Sequence, residues 1–119
     1  NNNIALLHCV SAYPTNEKDS NISAIFTLKD SFKDCIIGLS DHTNDIDVPL
    51  YSLCSGAQII EKHFKIDESM ECVDSPVSIT ELQLKNLVLQ TRRIEKIMGN
   101  SELQIRDCEK DSLIYRRKS

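Results

Sequence analysis

The sequence predicts an α/β chain of three consecutive βα units, one portion of a larger parallel barrel. Three observations lead there. Short apolar runs alternate with stretches of helical periodicity in the order strand, helix, strand, helix, strand, helix, and connections of a few residues join them, as parallel βαβ units require. Polar and ionisable residues gather at the C-terminal ends of the apolar runs, where functional groups collect in parallel folds. Three units also leave a sheet with two bare edges, which exposes apolar surface unless further strands cover it.

Residues 4–9 (Ile-Ala-Leu-Leu-His-Cys) are a short apolar run between Asn-rich and Ser/Pro-containing segments, which suits a fully buried strand. Pro14 breaks any ladder and holds Tyr13 extended, so residues 10–15 leave the strand as a loop. Asp19 or Ser20 can cap the next element, where Ile22, Ile25, Leu28 and Phe32 recur at helical spacing and predict a helix over 21–32. Residues 35–39 form the second strand and 40–44 its exit loop. Ile46, Leu50, Leu53, Cys54 and Ala57 give the next helical stripe, with Pro49 tolerable in its first turn and Gly56 near its C-cap. Residues 57–64 are the third strand.

A polar loop through Asp67, Glu68 and Asp74 follows. Ser78-Ile79-Thr80-Glu81 then reads as a capping box, and Leu84, Leu87, Val88, Thr91, Ile94 and Met98 form one face of a helix over 80–98 that Gly99 ends. The pattern next fades into charged residues finishing Arg116-Arg117-Lys118-Ser119. The organisation predicted is therefore a βαβαβα unit over 1–98 and a linker over 99–119, its basic run a solvated tail.

With 119 residues, 40% of them hydrophobic, the chain is one domain or part of one. A net charge of -4 argues against nucleic acid, whose phosphates call for a basic face. No stretch approaches the roughly 20 apolar residues of a membrane span, and the Asn-rich start lacks the basic and apolar regions of a signal peptide, so the expected compartment is the cytoplasm. The five cysteines (Cys9, Cys35, Cys54, Cys72, Cys108) stand singly, without a C-x-x-C pair. That spacing disfavours a disulfide framework or structural zinc, and most of them read as reduced, small core residues.

The functional reading starts from two near-mirror elements, Ile36-Ile37-Gly38-Leu39-Ser40-Asp41-His42-Thr43 and Ile59-Ile60-Glu61-Lys62-His63-Phe64. Each is an apolar run ending in ionisable groups that packing does not require. Side chains alternate along a strand, so Ser40 and His42 share one direction, as do Glu61 and His63. If both pairs face the barrel axis, two imidazoles meet at its mouth, and a divalent metal with open positions is the natural occupant. A third ligand would come from water, substrate or further chain. The bland alternative is that both histidines are satisfied by hydrogen bonds or exposed on loops. By the same economy Ser40 and Asp41 can merely cap a helix, Tyr13 can be a packed turn aromatic and Asp74 a loop residue. His8, inside an apolar run, reads as a core or helix-facing histidine; Lys62 alternates away from the site and is expected to reach solvent.

These residues carry a resemblance. Leu6-Leu7-His8-Cys9-Val10-Ser11-Ala12-Tyr13-Pro14-Thr15, Ile37-Gly38-Leu39-Ser40-Asp41-His42-Thr43, Ile59-Ile60-Glu61-Lys62-His63-Phe64 and Val73-Asp74-Ser75 resemble, in order and spacing, the second half of the sialic acid synthase family. Its members condense phosphoenolpyruvate with an N-acylated hexosamine to give N-acetylneuraminate, legionaminate or pseudaminate. The resemblance implies the last three strands of a TIM (β/α)8 barrel, with a linker toward an antifreeze-like C-terminal domain. It further implies that His42 and His63 bind a divalent ion, Mn2+ or the related Mg2+ or Co2+. Ser40 and Ser11 then contact the phosphoenolpyruvate phosphate, Tyr13 lines the sugar pocket, Asp74 binds sugar hydroxyls, and Glu61 acts beside the metal in orientation or proton transfer.

Departures from the family pattern bear on the outcome. Ser11 stands where several members have Asn, and Glu71-Cys72-Val73-Asp74-Ser75 replaces the frequent Pro-Gly-Pro-Asp, leaning toward pseudaminate-type members. The lysines that grip phosphoenolpyruvate in the first barrel half have no counterpart here, nor does the partner subunit's antifreeze-like domain of the family's homodimers. Two expectations follow: part of a sialic-acid-type synthase, or a catalytically silent βα module that binds metal or associates through its open sheet edges.

Overall fold

In a computed structural model, residues 3–116 are described; Asn1 and Asn2 of the Asn-rich start and Arg117, Lys118 and Ser119 of the basic tail lie outside them. Strands β1 (Ala5–Cys9), β2 (Ile36–Asp41) and β3 (Ile59–Lys62) form one parallel sheet in the order β1-β2-β3. Leu7, Gly38 and Ile59 lie side by side across it, as do Cys9, Ser40 and Glu61. Helices α1 (Ala24–Ser31), α2 (Asp47–Cys54) and α3 (Glu81–Met98) complete the expected βαβαβα order.

Alternation along β2 divides the sheet. Ile37 and Leu39 face the helices and bury themselves with Ile25 of α1, Val48 of α2 and Ala57, and Leu6 of β1 packs against that cluster. His8, of the same parity as Leu6, sends Nε2 to the Ser20 carbonyl at 2.8 Å, the helix-facing role expected of it. Gly38 and Ser40 point to the opposite face, where Ile36 and Ile59 stay 41% and 38% exposed for want of covering strands. At Gly38 the strands leave no room for a methyl group: a Cβ there would collide with the Ile59 carbonyl and lie 2.7 Å from Leu7 Cδ2. Gly38→Ala is therefore expected to cost about 1–3 kcal/mol of overpacking, read as a lower urea midpoint at unchanged slope.

Several boundaries differ from the sequence reading for nonlocal reasons. β2 runs on to Asp41 rather than ending at 39, because Ser40 and Asp41 still have ladder partners in Glu61 and Lys62. α1 starts at Ala24 rather than 21; Asn21 adopts a left-handed φ of 46°, and Asp19 belongs to a separate 3₁₀ turn, so neither Asp19 nor Ser20 caps the helix. α2 stops at Cys54 because Gly56 turns the chain at φ 98°, which leaves Ala57 to reach the core from a loop. β3 is shorter than predicted, and Phe64 makes a lone parallel bridge to Ile79.

That bridge also moves the helix cap. The Ile79 amide donates to the His63 carbonyl (2.8 Å) and the Lys65 amide to the Ile79 carbonyl (2.9 Å), which holds residue 79 out of any helix. The capping box is consequently Thr80 with Gln83, not Ser78 with Glu81; the Ser78 hydroxyl instead donates to the Asp74 carbonyl at 2.6 Å. α3 ends at Met98 before Gly99, as predicted. Its apolar stripe packs mainly against α2, yet only Leu87 is buried; Leu84, Val88, Ile94 and Met98 line an open groove of about 700 Å³ against Leu53, Ala57 and Ile60.

The cysteines are free; Cys35 is half-buried and packs against the core cluster, but Cys9, Cys54, Cys72 and Cys108 are exposed, so the core assignment fails for those four. Cys9, for one, shares the uncovered face with Ser40. The stretch read as a linker contains 3₁₀ turns over Asp107–Tyr115 with no buried residue. Among the described residues no helix is long and apolar enough to cross a membrane.

Candidate functional site

The C-terminal ends of β2 and β3 bring most of the predicted residues together. Ser40 and Glu61 are ladder partners, and the Ser40 hydroxyl donates to Glu61 Oε1 at 2.7 Å. Two residues further along each chain, the His42 and His63 rings lie with centroids 5.5 Å apart at 49°. His42 is buried, with Nδ1 2.8 Å from the Val10 carbonyl and 3.8 Å from Cys9 Sγ. A carbonyl only accepts, so that Nδ1 carries the hydrogen and Nε2 is left with its lone pair for a ligand.

The loop after β1 closes over this pair. Its Thr15 amide donates to the His42 carbonyl (2.8 Å) and its Thr15 hydroxyl to the Ala12 carbonyl (2.8 Å), folding the intervening residues back. Tyr13, joined to Pro14 by a cis peptide, thereby stacks on His42 at 4.1 Å between centroids and presents its edge to His63 at 6.1 Å. Ser11 is exposed in the same loop. From the other side Asp74 places Oδ2 3.7 Å from His63 Nδ1, too long for a hydrogen bond but close enough for Coulombic attraction to an imidazolium or a bound cation. In the loop leading to Asp74, the Ser69 hydroxyl and amide donate to the Asp67 carboxylate and hold it below its usual pKa.

Lys62 corrects the expectation that it reaches solvent. It does alternate away from the imidazoles, but its ammonium lies 2.7 Å from Asp41 Oδ2 and both side chains are 3% exposed. Ser40 and Asp41 likewise cap no helix; they bond across to β3. Sequence reasoning missed the Asp41–Lys62 pair and the Val10 carbonyl. The pair had a signal: the two residues precede the two histidines, so equal parity on neighbouring strands sets opposite charges on one face.

The donors fit an ion only in part. Two imidazoles converge, one with a fixed tautomer, yet among the described residues no three His, Cys, Asp or Glu side chains gather as a metal-holding set. Such a half-site suits an ion with several open positions, not a closed structural one.

Parallel strands with this polar cluster at their C-terminal ends, helices on one face and an uncovered inner face define the chain as a segment of a TIM barrel. Residues 1–103 match the NeuB family, and the chain belongs to it. It is 39% identical to the N,N'-diacetyllegionaminic acid synthase of Campylobacter jejuni, covering 98% of this chain and 35% of that protein. It is 34% identical to a pseudaminic acid synthase of the same species, over 98% and 34% of the two chains. The crystal structure of the N-acetylneuraminic acid synthetase of Leptospira borgpetersenii superposes with a TM-score of 0.88 at 45% identity, over 94% of this chain and 39% of that one. The chain thus spans about a third of the length of these curated relatives.

Proposed function

We propose that these residues form part of the active site of a nonulosonic acid synthase, which joins phosphoenolpyruvate to an N-acylated hexosamine and releases phosphate. The observation carrying this reading is the meeting of His42, His63, Tyr13 and Asp74 at the ends of two neighbouring strands in a NeuB family chain. His42, through Nε2, and His63 would hold a divalent ion, Mn2+ first among Mn2+, Mg2+ and Co2+. When bound there, the ion supplies Lewis-acid polarisation of the open-chain sugar aldehyde.

The chain's own residues do the rest. Tyr13, stacked on His42, walls the sugar site; Asp74, half-exposed at the rim, accepts hydrogen bonds from sugar hydroxyls. Ser40 and Ser11 donate to the phosphate of phosphoenolpyruvate, and for this Ser40 must turn from Glu61, which its hydroxyl now engages. Glu61, relieved of that bond, accepts a proton or orients a ligand beside the ion. The Asp74-Ser75 pair favours a pseudaminate-type sugar. A homodimer in the cytoplasm, and a linker after residue 98 toward an antifreeze-like domain, belong to the same proposal.

The second reading, a silent βα module, is favoured by one observation: the inner face carries the exposed Ile36 and Ile59, and both outer strands have a free edge. Phosphate release from phosphoenolpyruvate, with Mn2+ and an N-acylated hexosamine, separates the two. We expect none from the 119-residue chain alone. Release should appear when it is complexed with the N-terminal barrel segment of a NeuB relative, association being verified by gel filtration, and should vanish on His63→Ala. An associated but inactive complex would sink the synthase reading, and release by the chain alone would overturn its expected silence.

A further inference from the structure

The ladder between β2 and β3 ends at its Asp41–Lys62 pair, one residue before each histidine. His42 and His63 therefore lie beyond the last backbone pairing of the strands that carry them, and something else must fix the angle between their rings. Asp41 Oδ2 accepts from Lys62 Nζ (2.7 Å), the Thr43 hydroxyl (2.6 Å) and the Thr43 amide (3.2 Å). Lys62 also donates to the Thr43 carbonyl. The residues on both sides of His42 are thus tied, through one ammonium, to the residue before His63.

We infer that Asp41, Lys62 and Thr43 are positioning residues, a buried charged clamp that sets the relative geometry of the two imidazoles. The inference rests on the proposed role of His42 and His63 as a ligand pair. The clamp faces away from the imidazoles, so it neither holds the ion nor touches substrate. Burying the two charges yields little net stability over an apolar pair of similar volume, so a geometric role is the better account of their presence. The backbone hydrogen bonds of Thr15 to the His42 carbonyl and of Ile79 to the His63 carbonyl each reach one histidine, and Tyr13 touches both rings from an exposed loop; the clamp links the buried residues next to both.

The test compares Lys62→Met with the double variant Asp41→Leu/Lys62→Met, which keeps the volume apolar and guards against a single variant that fails to fold. In metal-free, histidine-labelled protein, NMR reads the ring-current shift that Tyr13 imposes on His42 and the cross-relaxation between the His42 and His63 rings. We expect the double variant to stay folded while both signals fall by half or more, and Mn2+ affinity, read by electron paramagnetic resonance, to weaken at least tenfold. Ile25→Val, a conservative core truncation that removes none of the clamp's hydrogen bonds, should leave both signals unchanged. Unaltered ring signals in the folded double variant would overturn the clamp. The ring signals need no metal, so a wild-type protein that fails to bind Mn2+ would count against the ligand reading while the clamp is still decided by NMR.

Discussion

Lys62→Met is expected to lower the unfolding free energy by about 3–5 kcal/mol, the cost of leaving one partner of a buried ion pair without the other. The loss has identifiable parts. Asp41, its side chain 3% exposed, would keep its two Thr43 donors but lose its countercharge, and the Thr43 carbonyl would lose the Lys62 donor. Methionine fills much of the volume of the lysine stem, so the effect comes from charge and not from a cavity. Urea denaturation gives the number directly, and Asp41→Leu/Lys62→Met should recover most of it. A single variant that loses less than about 1 kcal/mol would mean that water reaches Asp41 and that the pair behaves as a surface one.

Removing either imidazole should reduce Mn2+ affinity at least a hundredfold. Two side chains are the whole protein contribution to the proposed site, and changes confined to groups that merely orient a ligand already cost about 10–100-fold. A hundredfold corresponds to about 2.7 kcal/mol. His42→Ala should be the more damaging of the two, because its Nδ1 bond to Val10 fixes the tautomer and aims Nε2 before any ion arrives, whereas His63 is half-exposed and has only a distant carboxylate neighbour. Asp74→Asn should weaken binding far less, since Oδ2 stands 3.7 Å from the His63 ring in a partly solvated setting. Titration monitored by the signal of free Mn2+ ranks the three variants. Equal affinities for wild type and His42→Ala would place any ion elsewhere.

What the sequence showed and hid can be traced to the range of the interactions concerned. The stripe Leu84, Leu87, Val88, Thr91, Ile94, Met98 and the stop at Gly99 are local, and α3 was legible from them. Parity along 36–42 and 59–63 was enough to bring Ser40 toward Glu61 and His42 toward His63, although the paired Ser40–Glu61 bond itself was not foreseen. The cap at Thr80 escaped because it depends on Ile79 bridging to Phe64, fifteen residues back. Lys62 escaped because its countercharge sits on another strand; in isolation a lysine beside a strand end is a solvent-reaching residue. For the cysteines residue type alone points to a core, which Cys35 joins, whereas Cys9 lies on the face that three strands cannot cover.

The two histidines rest on unequal supports: α3, to which His63 is linked, fully buries only Leu87. A helix so lightly buried belongs to the low-stability end of a fold, and a central strand hydrogen-bonded on both sides, as β2 is by β1 and β3, to the high end. The His63 carbonyl is tied to Ile79, the residue before the Thr80 cap, so a local opening of α3 would reach the backbone that carries His63 before that of β2. Of the two imidazoles proposed as ligands, His42 thus rests on the firmer support, and His63 borders the element with the open groove beneath it.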